Sequence, residues 1–118
     1  MHELGIAIRV YEACREALRH QPPGRIEKVR LAIGELSAVE PDLIRFGWQA
    51  VTADTPDAGA ELEVVWCPAV QRCEACGEDK RQRDAVWLPL CPDCGQLLQV
   101  AGGTELDVLQ LTYLTESD

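Results

Sequence analysis

No apolar run in this chain of 118 residues approaches the roughly 20 residues that a membrane-spanning helix needs. Nor does the N-terminus read as a signal peptide, because Glu3, Arg9, Glu12 and Arg15 interrupt any apolar leader core. Basic residues are scarce: 11 lysines and arginines face 20 acidic residues, a net charge of −9. Such a surface lacks the positive field that general nucleic-acid binding requires. There is no Gly-x-x-x-x-Gly-Lys-Ser/Thr phosphate loop, so any nucleotide hydrolysis must come from a partner. No nucleophile–base pair stands out, and no internal repeat or low-complexity tract is evident. These absences point to a cytoplasmic chain of one domain, or one domain with a small module inserted, that is not an enzyme.

Cysteine is what the chain does have. Cys73-Glu74-Ala75-Cys76-Gly77 and Cys91-Pro92-Asp93-Cys94-Gly95 are two Cys-x-x-Cys pairs, each followed by glycine. Each pair can present two thiolates on one tight turn, and two such turns can close a tetrahedron around Zn²⁺. Glycine after the second cysteine suits a positive φ, which turns backbone N–H groups toward the sulfurs. The 14-residue connector is short for this pattern but long enough for a small hairpin. Two disulfides are the competing reading, and a reducing compartment argues against them. A rubredoxin-like iron site is another, since iron also takes four thiolates. Of the two further thiols, Cys14 falls on an apolar helix face and reads as core, while Cys67 lies at the edge of the cysteine module.

Along the chain, Leu4, Ala7, Ile8, Tyr11, Cys14 and Leu18 follow helical spacing over residues 4–19, with Arg9, Glu12, Arg15, Glu16 and Arg19 opposite. Gln21-Pro22-Pro23-Gly24 ends that helix. Residues 25–33 read as a strand whose Val29, Leu31 and Ile33 face one way. Glu40-Pro41-Asp42 reads as a helix entry, because proline suits the first position and carboxylates favour the positive end of the dipole. The second helix, residues 41–53, is expected to bury some of Leu43, Ile44, Gly47, Ala50 and Val51. Residues 61–67 form a second strand, with Leu62, Val64 and Trp66 on one face. Ala101-Gly102-Gly103 reads as a return hinge. Residues 104–115 form a last strand whose alternation slips between Val108 and Leu109, as at a bulge. The expected fold is α+β: a small three-stranded mixed sheet with two helices on one face, plus an inserted zinc-ribbon-like module at residues 68–100. Residues 1–67 and 101–118 make the main domain, and relative motion of the two parts is expected at such joints. The sheet's edges leave pairing between chains, a homodimer, open.

The chain opens Met1-His2-Glu3. Histidine in second place lets the α-amine, the His2 amide nitrogen and the imidazole chelate one ion through fused rings. Three nitrogens in a square plane favour Ni(II) or Cu(II) over zinc. The plainer reading is a helix start with Glu3 at the dipole.

Taken together, Met1-His2-Glu3-Leu4, Arg30-Leu31-Ala32-Ile33-Gly34-Glu35-Leu36-Ser37, Glu40-Pro41 with Leu43 and Phe46, the two cysteine pairs, and Gly103-Thr104-Glu105-Leu106 resemble the HypA/HybF family of nickel metallochaperones. The likeness spans essentially the whole chain in order. It implies weak Ni(II) cargo binding at His2, with the Met1 amine and the backbone of His2 and Glu3 around it. Glu40 matches a position near that site and is given an anchoring role around the metal. A structural Zn²⁺ on Cys73, Cys76, Cys91 and Cys94 is implied too. So are the partners: the GTPase HypB and the hydrogenase large-subunit precursor, with urease accessory proteins as further partners for some members. Where some members have a histidine after each Cys-x-x-Cys, this chain has Gly77 and Gly95, so no histidine swap at zinc is expected. The competing class is a zinc-ribbon module that binds nucleic acid. Its phosphate contacts would be Lys80, Arg81 and Arg83, but Glu78, Asp79 and Asp84 cancel them, and only Trp87 is there to stack on a base.

Overall fold

A computed structural model of the chain describes residues 2–80 and 90–116. Helix α1, His2–Ala17, leads into strand β1, Gly24–Gly34, a 3₁₀ turn, Glu35–Ser37, and helix α2, Pro41–Thr52. Strand β2 follows at Glu61–Cys67, then three short strands: β3 at Val70–Cys73, β4 at Glu78–Lys80 and β5 at Gln99–Gly102. Strand β6, Leu106–Thr115, ends the fold.

The main sheet has the order β2-β1-β6, with β1 parallel to β2 and antiparallel to β6. It is the mixed three-stranded sheet expected, and the two helices pack with it into one core. Ala7, Val10 and Cys14 of α1, Ile44 and Trp48 of α2, Ile26, Val29, Leu31 and Ile33 of β1, and Leu62 of β2 are all buried there. The β1–β6 register slips opposite Leu109, where the sequence alternation also breaks. A second, smaller sheet, β4-β3-β5, carries the cysteine turns.

Several elements depart from the sequence reading. Helix α1 starts at His2 and stops at Ala17, two residues early at both ends. Its inward face holds Val10, while Ile8 is exposed. In α2, Leu43 and Ala50 lie outside, and Trp48 and Thr52 take the buried places. The Trp48 indole can be buried because its Nε1–H donates to the Ala60 carbonyl at 2.9 Å. Residues 101 and 102, read as a hinge, belong to β5, where Gly102 pairs with Val70. The turn lies at Gly103, with φ +100°.

Asp57 also departs from expectation. It sits in the loop before β2 yet is fully buried. Tyr11 Oη donates to it at 2.6 Å, Arg15 donates through Nε and Nη2 at 2.9 and 2.6 Å, and the Ile26 N–H donates at 2.7 Å. Arg15, assigned to the solvent side of α1, is therefore half-buried in an ion pair that ties α1, the loop and β1 together. Cys14 lies in the core as expected, and burial, helped by Asp57, pushes its thiol pKa up.

Two chain crossings join the sheets, and carboxylates fasten both. Glu35 Oε1 accepts from the Ala69 N–H at 2.7 Å on the way out, and Glu105 Oε1 accepts from the Gly103 N–H at 2.7 Å on the return. The Gly34 N–H donates to the Glu105 carbonyl and the Leu36 N–H to the Gly103 carbonyl, at 2.7 and 2.6 Å. A Cβ on Gly34 would fall 2.2 Å from the Gly103 carbonyl group, so only glycine lets the strands pass this closely.

Candidate metal sites

In the second sheet, β3 ends on Cys73 and turns back into β4, so the first Cys-x-x-Cys occupies a hairpin tip. The Gly77 N–H donates to the Cys73 carbonyl at 2.8 Å, and Gly77 takes φ +71°. The second pair repeats the device: the Gly95 N–H donates to the Cys91 carbonyl at 3.0 Å, with φ +79°. Each glycine thus makes the left-handed step expected of it. The turns aim N–H groups at sulfur: Cys76 N–H to Cys73 Sγ at 3.3 Å and Asp93 N–H to Cys91 Sγ at 3.4 Å.

The four Sγ atoms of Cys73, Cys76, Cys91 and Cys94 all lie within 4.8 Å of one another. Four sulfurs at about 2.3 Å from a tetrahedral ion stand roughly 3.8 Å apart, so the cluster fits a divalent metal such as zinc. Cys73 and Cys94 Sγ are 3.5 Å apart, and all four cysteines are free thiols rather than disulfides. Without a cation the group is electrostatically crowded. Hydrogen bonds from Cys76 to the Cys73 and Cys94 sulfurs, with some burial, push the Cys76 thiol up to about 12. Burial alone would raise Cys91 as well, but the N–H groups of Asp93 and Cys94 and neighbouring thiols outweigh it and bring Cys91 down to about 7. A bound dication resolves this conflict by favouring four thiolates at once.

Lys80 is one of the connector residues that the nucleic-acid reading sets against phosphate. It is buried, and its Nζ donates to Asp93, in the second cysteine turn, and to Glu78. These partners, Asp93 foremost, hold it protonated. The ammonium links the two halves of the cluster and offsets part of the negative charge that four thiolates carry beyond one dication. It is thereby withdrawn from any phosphate. Arg81, Arg83 and Trp87, the other residues of the nucleic-acid reading, lie outside the described residues.

The other site residues gather at the start of α1. His2 is exposed, and its Nδ1 lies 3.6 Å from Glu3 Oε2. That same carboxylate oxygen accepts from the Glu40 backbone N–H at 3.3 Å. This hydrogen bond is the largest influence holding the Glu3 pKa below its ordinary value. The Glu40 side chain turns the other way and caps α2, accepting from the Asp42 N–H at 3.4 Å. Glu40 therefore reaches Glu3 through its backbone, across 37 positions of sequence. Met1 lies outside the described residues. Cys67 sits at the neck, half-buried, and burial together with Glu105 and Asp107 raises its thiol pKa. It is not one of the four sulfurs that converge.

A family model described as hydrogenase/urease nickel incorporation, metallochaperone, hypA matches residues 1–113. This chain belongs to the HypA family. That family consists of metallochaperones for nickel incorporation, not enzymes. Among curated relatives, the hydrogenase maturation factor HypA of Chlorobaculum parvum is 39% identical over 113 residues, covering 95% of this chain and 98% of its own. The HypA of Alkalilimnicola ehrlichii is 41% identical over 115 residues, covering 94% and 97%. In three dimensions, the solution structure of the Ni metallochaperone HypA from Helicobacter pylori superposes with a TM-score of 0.64 at 21% identity, covering 97% of this chain and 98% of that one. At that identity the likeness speaks for the fold alone. Among the described residues, no helix is long and apolar enough to cross a membrane.

Proposed function

We propose that this chain carries Ni(II) as cargo at its N-terminus and hands it on for [NiFe]-hydrogenase maturation in the cytoplasm. The nickel ligands are the Met1 amine, the His2 amide nitrogen and the His2 imidazole, with Glu3 beside them and Glu40 as the anchor of Glu3. Zn²⁺ on Cys73, Cys76, Cys91 and Cys94 is structural, because four thiolates leave no open coordination position. The nickel-binding domain comprises residues 1–67 and 101–118, and the zinc module residues 68–100. HypB, as the GTPase, and the hydrogenase large-subunit precursor are the partners, with urease accessory proteins as a second route.

The observation that carries this reading is the placement of His2 and Glu3 in the first turn of α1, against Glu40. The first N–H groups of a helix have no intrahelical acceptor. The His2 amide can therefore release its proton to solvent as a metal takes the nitrogen, without breaking the helix. The positive end of the helix dipole opposes a cation there, and the Glu3 carboxylate counters it. Opposition and support at one point suit cargo that must be released.

The test is calorimetry with Ni(II) on three forms: the untagged chain, His2→Ala, and a chain with two residues added before Met1. Both altered forms are expected to lose at least tenfold in nickel affinity while retaining one zinc per chain. Equal nickel binding by the extended form would remove the amine from the ligand set, and equal binding by His2→Ala would remove the site altogether.

A further inference from the structure

The single phenylalanine of the chain is not in its core. Phe46 is 69% exposed, and Leu43, one turn before it on α2, is 54% exposed. Both stand on the face of α2 next to the start of α1. With Glu3, Leu4, Gly47 and Ala50 they line a dimple of about 130 Å³, the space of one bulky aliphatic side chain. Gly47 sets its floor: there α2 runs so close to α1 that a Cβ would sit 3.4 Å from Leu4 Cα and from Ala7 Cβ. Glu3 belongs both to this dimple and to the proposed nickel site.

We propose that this dimple docks the protein that exchanges nickel with the N-terminus. Its occupant is a partner segment presenting one bulky apolar side chain flanked by lysine or arginine. The inference rests on the function proposed above. An exposed aromatic beside a pocket is the kind of residue that carries binding energy at interfaces. The rim gives the occupant's charge. Glu3 lines the dimple, Glu40 and Asp42 stand at the adjoining start of α2, where the Glu40 N–H donates to Glu3, and the cation Arg45 is paired with Asp42 at 3.1 Å. The excess is negative, so basic flanks complement it. A second copy of this chain, also at −9, is repelled from the same face. A partner seated here meets Glu3, whose carboxylate lies 3.6 Å from His2 Nδ1.

The experiment is binding of purified HypB, and separately of the hydrogenase large-subunit precursor, to zinc-loaded, nickel-free wild-type chain, Phe46→Ser and Phe46→Leu. Phe46→Ser is expected to weaken at least one partner tenfold or more, Phe46→Leu by threefold or less, and raising NaCl from about 50 to 500 mM to weaken the wild-type complex further. Phe46 is outside the core, so Phe46→Ser is expected to keep the wild-type circular dichroism and nickel affinity. Unchanged binding of both partners by Phe46→Ser overturns the proposal, as does a wild-type chain that binds neither. If Phe46→Ser instead loses nickel, or converts a dimer of this chain to monomer, the ring serves the metal site or a second copy, and the proposal falls. Because the partner-binding assay contains no nickel, a failed nickel site registers in the calorimetry and not in partner binding.

Discussion

Stripping the metal from the four-cysteine cluster, or replacing Cys73 by serine, is expected to unfold the β4-β3-β5 sheet and leave the helix-covered sheet standing. The two sheets are held by different means. The main core gathers twelve buried residues, ten of them from the two helices and strands β1 and β2 and two, Val39 and Ala60, from the loops beside α2 and β2. The small sheet buries Cys73, Cys91 and Leu98 as its only hydrophobic cluster among the described residues, and its strands are three or four residues long. A unit of that size has too little apolar area to fold on its own. Structural zinc in comparable peptides contributes about 10–16 kcal/mol of apparent binding energy near pH 7, far more than one leucine and two sulfurs supply. Amide hydrogen exchange separates the two sheets. After chelation, the amides of Val70–Cys73 and Gln99–Gly102 are expected to exchange at close to unprotected rates, while those of Val29, Leu31 and Ile33 stay protected. A module that keeps its protection without metal would mean that Lys80 and its two carboxylates suffice to hold the turns.

Asp57→Ala is expected to destabilise the main domain by about 3–5 kcal/mol, the usual loss when one member of a buried ion pair is removed. The substitution strands three donors together: the Tyr11 hydroxyl, the Arg15 guanidinium and the Ile26 N–H. Against a typical domain stability of about 5–15 kcal/mol, that loss approaches unfolding. The site also has a pH signature. Burial alone would raise the Asp57 pKa, but hydrogen bonds from Tyr11, Arg15 and Ile26 outweigh it, and the folded value lies below the ordinary 3.8. A carboxylate with a depressed folded pKa contributes stability that is fully present above its unfolded pKa and is lost as pH falls through the folded one. Urea midpoints of the wild type are therefore expected to drop below about pH 4, and those of Asp57→Asn to drop less steeply over the same window. Parallel curves for the two chains would show that Asp57 is not the titrating group.

How much of this was legible in the sequence depended on the range of the interaction. The cysteine turns could be read because each chelating unit is four residues long and its geometry is local. Strands β1 and β2 could be located from their period-two pattern, although burial follows it only in part: Ala32 is buried on the other face of β1, and Trp66, read on one face with Leu62, is exposed. Asp57 could not: an acid in a Thr-Pro-Asp-Ala-Gly turn reads as solvated, and nothing nearby announces Arg15, 42 positions away. Trp48, Leu43 and Phe46 share a helix on which apolar residues ring most of the circumference, so spacing alone could not choose the inward face. The choice was made by α1 packing at Gly47 and by the indole finding Ala60. Gly102 read as a hinge because glycine usually weakens strands, whereas here it pairs with Val70. The meeting of Glu3 and Glu40 was implied by family resemblance, not by any local pattern.

The crossing between the two sheets bears on the order in which the chain can fold. Strand β1 pairs with β2, then must wait for β6, which arrives only after residues 68–105 have been made. A floppy loop of roughly 40 residues makes that last pairing slow and entropically costly. Once the four thiolates close on their ion, β3 and β5 run side by side and Val70 is delivered next to Gly102. The loop to be closed then shrinks to the few residues about Ala69 and Gly103, where the carboxylates of Glu35 and Glu105 already wait for backbone donors. By loop-closure entropy the saving is about 1.5 kcal/mol. A metal held by the four thiolates would thus act on the distant sheet as a clamp on chain ends, and without it the last strand is expected to dock late.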